Sequence, residues 1–150
     1  MAAAIAMTSM LSAHAQDPEA RTSAEVIEGR QSNLRDLGSA YKELGDQLKK
    51  SKPMPFMVQQ LVGQIRDFAL QAPHWFPAGS GPGPGLDTKA KPDIWIRTAE
   101  FKTAMQRFDQ ESERLASVAA TNDLDALKVQ HRKLGEACKA CHDPFREKKD

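Results

Sequence analysis

Four stretches of this chain set their apolar residues three and four positions apart, and no stretch of useful length alternates with a period of two. That spacing lays apolar side chains along one face of a helix and leaves nothing from which to build a sheet. The first stretch carries Ile27, Leu34, Leu37, Tyr41, Leu44 and Leu48, and ends where Lys50, Ser51 and Lys52 run into Pro53. The second carries Val58, Leu61, Ile65, Phe68 and Ala72, and stops at Pro73. Pro92 and Asp93 open the third, whose stripe is Ile94, Phe101, Met105, Phe108, Leu115 and Ala119. Thr121, Asn122 and Asp123 make a turn with capping side chains. The fourth stretch then places Leu124, Leu127, His131, Leu134, Cys138, Cys141 and Phe145 on one seam. Helical stripes of this kind bury themselves against one another, so the pattern predicts an all-α fold, an antiparallel four-helix bundle.

Between the second and third stretches, residues 73–92 hold Gly79, Gly81, Gly83 and Gly85 together with Pro73, Pro77, Pro82, Pro84 and Pro92. Such a segment is read as a long non-helical connection, with Trp75, Phe76 and Leu86 available to tie it to the bundle. A chain of 150 residues suffices for one domain with a hydrophobic core. Its 21 Lys and Arg balance 20 Asp and Glu, which argues against a nucleic-acid binder driven by counterion release. No apolar run reaches the roughly 18 residues that a membrane-spanning helix needs. Residues 1–15 are uncharged, Ala- and Met-rich, and end in Ala13-His14-Ala15, the pattern of a cleaved secretory signal peptide. The usual basic n-region is missing, as it would be if translation starts upstream. The alternative is an apolar helix that stays in the fold. Cleavage would leave residues 16–150 as the working domain and would remove His14.

The chemistry concentrates in Cys138-Lys139-Ala140-Cys141-His142, which holds both cysteines of the chain. C-x-x-C-H is the attachment motif of c-type haem. Two thiols three positions apart share a helical face and can add to the two vinyl groups of a porphyrin. The following histidine can bind the iron. Three other uses compete. A zinc site would need two more ligands, and only His131 and His74 remain besides His142. A thioredoxin-like pair would need a βαβ setting. A disulfide would close a very small loop inside a helix, with poor geometry. Arg30 adds a separate clue, because it occupies a position of the first helix's apolar rhythm. A buried guanidinium needs a partner, and none of the other three seams offers an obvious acid. A haem propionate would suit it; the other reading is an arginine that snorkels to solvent.

With these residues the chain resembles the class II c-type cytochromes, the cytochrome c′ family, over essentially all of 16–150. The likeness rests on Arg30-Gln31 with Leu34 four residues after the arginine, Phe76-Pro77 with the Gly-rich connection, and Trp95 with Phe101. It rests above all on the C-terminal Cys138-Lys139-Ala140-Cys141-His142-Asp143-Pro144-Phe145-Arg146. The resemblance implies one haem c joined by thioethers to Cys138 and Cys141, with His142 as axial ligand. Arg146 would lie near the proximal imidazole, and Arg30 and Gln31 near a propionate. Trp95 would pack beside the haem, although periodicity alone reads it equally well as core. The residue four after the arginine would face the open side of the iron, where low-spin relatives carry Met. Leu34 cannot coordinate, so the implied iron is five-coordinate and high-spin.

The resemblance therefore implies a periplasmic haem protein rather than an enzyme. It would bind small neutral diatomics such as NO and CO, or pass single electrons to a redox partner that the sequence does not identify. The alternative is a low-spin, six-coordinate electron carrier with a Met sixth ligand, for which Met54, Met57 and Met105 are the candidates. A haem-free interaction bundle is the remaining class. His131 is expected to be a bundle-layer residue and His74 to be exposed in the connection. Homodimers through the first helices are common in such proteins, while the exposed face of residues 26–50 is polar and does not by itself require one.

Overall fold

The computed structural model describes residues 21–148, so the expected signal peptide, residues 1–15, lies outside the described residues. Four long helices appear where the apolar spacing places them: α1 (Ser23–Leu48), α2 (Pro55–Gln71), α4 (Thr98–Ala119) and α5 (Leu124–Phe145), with a single-turn α3 (Asp93–Ile96) between α2 and α4. Among the described residues there is no strand, only two isolated β-bridges. Local chemistry starts α1 and α5. Thr22 and Glu25 form a reciprocal capping box at the head of α1. Asp123 accepts from the amides of Asp125 and Ala126 at the head of α5. Asn122 before it adopts the left-handed conformation that reverses the chain.

The long helices run alternately up and down. Side-chain bonds from Gln59 to the Ala119 carbonyl and from Arg66 to Ser112 fix α2 antiparallel to α4. Leu44, Ile65, Leu115 and Leu134, one from each long helix, are completely buried and form the centre of the core. α1 packs on α2, α2 on α4 and α4 on α5, but α5 closes back on α1 only sparsely.

Three expectations need correction. The third helix is broken at Arg97, whose backbone (φ −100°, ψ 51°) leaves the helical region. Its guanidinium pairs with Asp93 on one side of the break and Glu100 on the other, which stabilises the kink. The connection is not wholly non-helical, because Ala72–Trp75 continues α2 as a 3₁₀ turn around Pro73, with His74 exposed on it. Leu124 opens α5 at the surface, 39% exposed, and takes no part in the seam.

Candidate functional site

The sparse α1/α5 seam is where the chemistry lies. The helices meet at one close contact, where the rings of Tyr41 and His131 stack with centroids 4.0 Å apart and 9° between their planes. Gly45 and Gly135 make room for it, since a Cβ at Gly135 would collide with the Tyr41 hydroxyl and one at Gly45 would stand 3.0 Å from the His131 ring. This pairing sets an antiparallel register in which Leu34 falls level with the turn Cys138–His142. From residue 31 to residue 39, α1 has no fully buried side chain, and Leu34 and Leu37 are only half-buried. Opposite them Cys138 and Cys141 are also half-buried and unbridged. The apolar seams of the two helices thus remain incompletely covered where the thiols are. Burial pushes both thiols up to about 11, so they are neutral at ordinary pH, unlike the lowered thiols of redox-active pairs.

His142 and Arg146 close the end of α5. The Arg146 amide donates to the His142 carbonyl as the helix terminates, and the two side chains line one shallow groove with Asp143 and Glu147. The His142 side chain reaches solvent, yet the protein around it and the Arg146 charge lower its pKa below the ordinary histidine value. The chain beyond is pinned to the connection by a bridge between Ala90 and Arg146. In it, Lys91 N–H donates to the Phe145 carbonyl (2.9 Å) and Glu147 N–H to that of Lys89 (2.8 Å).

Arg30 holds the other side. It is 3% exposed, so the snorkelling reading fails. One Nη donates to Ser80 Oγ (2.9 Å) and the Trp75 carbonyl (3.4 Å), the other to the Ser80 carbonyl and Thr88 Oγ1 (both 3.0 Å). The guanidinium lies over the Phe76 ring, 4.8 Å from its centroid. Among the described residues it has no carboxylate partner, and burial lowers its pKa. Gln31 next to it donates to the Asp87 carbonyl at 2.8 Å. Both residues grip the connection, and Trp95 does the same, donating to the Pro77 carbonyl (3.1 Å) with its ring against Gly81. Phe76, Phe101 and Phe145 continue from there as an edge-to-face aromatic row.

The donor set fits a c-type haem. Two thiols stand on one helix beside a seam that the protein's own side chains cover only in part, a histidine follows them, and the adjoining helix carries a buried cation with no carboxylate partner among the described residues. A tetrahedral zinc would need further ligands, and among the described residues no group of three or more His, Cys, Asp or Glu side chains gathers. His131 is engaged with Tyr41 in the bundle layer, as expected. Met54 caps α2 at the surface, Met57 lies in its first turn, and Met105 lines a groove between α2 and α4, so none of the three belongs to α1 or α5. Sequence reasoning missed Ser80 and Thr88, which hold Arg30, and the Tyr41–His131 contact. The identical four-residue spacing of Tyr41 with Gly45 and of His131 with Gly135 was the available signal.

The family model described as Cytochrome C' matches residues 25–146. A cytochrome c' from Alcaligenes xylosoxydans xylosoxydans is 33% identical over 127 residues, covering 83% of this chain and 95% of that protein. One from Rhodospirillum rubrum is 32% identical over 147 residues, covering 97% and 95%. Among solved structures, the nitric oxide complex of a leucine-to-alanine mutant of cytochrome c prime from Alcaligenes xylosoxidans superposes with a TM-score of 0.78. It is 27% identical, and the match covers 87% of this chain and all of that one.

Proposed function

Because the chain belongs to the cytochrome c′ family of haem proteins, we propose that it is an exported, periplasmic haem c protein whose iron keeps one open face for small neutral diatomics. When bound, the haem would supply an iron centre able to take NO or CO and to change its charge by one electron. Cys138 and Cys141 would hold the group by thioether bonds, which would keep it from being lost from a protein outside the cytoplasm. His142, one residue beyond, would bind the iron, and Arg146 on the next turn lines the same groove. Arg30 and Gln31 anchor the connection at the opposite edge; the Arg30 charge, which has no carboxylate partner among the described residues, and its remaining Nε–H favour a propionate there. Trp95 packs the connection against that edge.

Leu34 decides what the iron can take. It stands level with the thiol turn, carries no donor, and presents an apolar surface. A ligand that needs a hydrogen bond or brings a charge is disfavoured there, while a small neutral one is admitted at a steric cost. The observation that carries the reading is the stretch of α1 from 31 to 39, opposite Cys138 and Cys141, that has no fully buried side chain. Neither α1 nor α5 contains a methionine, so a Met-ligated, low-spin centre has no ligand on the helices that flank the site. Export rests on residues 1–15, and the absence of assigned catalytic residues on the chemistry of the site itself.

The test is an optical spectrum of the purified protein, reduced, with and without CO, together with its intact mass. The expected result is a haem-sized mass increment, high-spin bands and a CO-induced change. A low-spin spectrum indifferent to CO would overturn the open-face reading, and a mass without haem would overturn the whole proposal.

A further inference from the structure

The contact between Tyr41 and His131 is reciprocal. Tyr41 Oη donates to the His131 backbone carbonyl (3.2 Å), and His131 Nε2, facing a carbonyl, donates to that of Tyr41 (2.9 Å). Each ring therefore stacks on the other while its polar end bonds the other's helix, and two glycines let the backbones approach closely enough for both. At its other end α1 is fixed by Arg30 and Gln31 to the connection. The intervening residues 31–39 have no fully buried side chain, although Leu34 and Leu37 pack against the edge of the core, and they span the roughly 16 Å of helix between Arg30 and Tyr41. Leu34 sits on that span, two turns from Tyr41, and Cys138 lies two turns from His131 on the facing helix.

We propose that Tyr41 and His131 are positioning residues that clamp α1 to α5 and so set how closely Leu34 covers the open side of the iron. This deepens the function proposed above and rests on it. Neither residue touches the bound gas. Tightness at the clamp holds Leu34 in, and slackness lets that span of α1 move outward and lowers the steric cost of the ligand.

The experiment uses the haem-loaded, full chain and two readouts. Amide hydrogen exchange over residues 31–40 reads the clamp without any ligand, and the association rate of CO with the reduced protein reads Leu34. Gly135→Ala drives a methyl into the Tyr41 hydroxyl, and His131→Leu removes the stack and one bond. Each should speed exchange in 31–40 by about fivefold, the scale of one net hydrogen bond, with α2 and α4 unchanged, and should raise the CO rate several-fold. His131→Gln, which still offers an N–H to the Tyr41 carbonyl, should lie between the native protein and His131→Leu. Tyr41→Phe gives the smaller effect of one lost bond, and remains readable if Gly135→Ala does not fold. Leu34→Ala is the control and should raise the CO rate with the clamp intact. Unchanged exchange in His131→Leu and Tyr41→Phe overturns the clamp. Faster exchange with an unchanged CO rate, while Leu34→Ala is faster, overturns its link to the ligand. If Leu34→Ala itself has no effect, the placement of Leu34 over the iron falls and takes this inference with it.

Discussion

Replacing Arg30 with methionine keeps most of the stem volume and removes the guanidinium, and its cost can be worked from the four bonds lost. Two of the acceptors keep another partner: Ser80 Oγ still donates to the Pro77 carbonyl, and Thr88 Oγ1 still accepts from the Ala90 amide. The carbonyls of Trp75 and Ser80 have no other bond outside their own segment, and both residues are buried, Ser80 at 1% exposure. Abandoning a buried acceptor costs about 1–3 kcal/mol, so two cost roughly 2–6 kcal/mol. The lost cation–π contact with Phe76 adds about 1 kcal/mol. Against this, removing the cation recovers part of its desolvation, while the propionate proposed beside it would lose its charge partner. The net expectation is a loss of about 3 kcal/mol, a large share of the roughly 5–15 kcal/mol that holds a domain together. Urea unfolding of the haem-loaded protein, followed by circular dichroism at neutral pH, measures it. Arg30→Lys keeps the charge but cannot span Ser80, Thr88 and Trp75 from one ammonium, so it should recover less than half the loss. A loss below about 1 kcal/mol for Arg30→Met would refute the reasoning, since it would mean the connection re-solvates its carbonyls without Arg30.

Three further outcomes are expected. Leu34→Met puts a thioether level with the thiol turn and should shift the optical spectrum toward six-coordination; an unchanged high-spin spectrum would place residue 34 elsewhere. Burial is the main cause lowering the His131 pKa, with Lys49 and Arg132 adding to it. The unfolded chain therefore binds the extra proton more readily, and stability is full above the unfolded value near 6.5 and falls as pH drops below it. Unfolding curves from pH 8 to pH 5 should show that slope, and His131→Gln should flatten it. Thr22→Ala removes the cap of α1 and should cost about 1 kcal/mol. The Thr22 bonds also hold the Glu25 carboxyl below its ordinary range, so in the native protein this contribution fades as pH falls through the acid range.

Apolar spacing was enough to read the four long helices, because each presents one stripe and each stripe supplies one fully buried residue to the centre. The break at Arg97 escaped that reading, since it depends on one arginine bridging Asp93 and Glu100 between a single helical turn and the long helix after it. The partners of Arg30 escaped it for another reason: they lie 45 to 58 positions away in the connection, and no local pattern encodes a contact of that separation.

The site itself divides along the same line. Cys138, Cys141 and His142 announce themselves because covalent attachment requires fixed residue types at fixed spacing. The space they serve does not. On the page Leu34 and Leu37 look like core as ordinary as Leu44, because periodicity records which side chains are apolar and not what fills the volume in front of them. In the fold Leu44 is completely buried, while Leu34 and Leu37 are only partly buried on the same helix face. The difference begins beyond Tyr41, the point where α1 and α5 touch. An apolar stripe that a bundle builds and covers only in part is costly unless something else completes the cover, and here the partly covered length coincides with the two thiols. The same interval of α1, from its anchor at Arg30 to its contact at Tyr41, therefore makes the room for a cofactor and fixes how closely the chain closes over it.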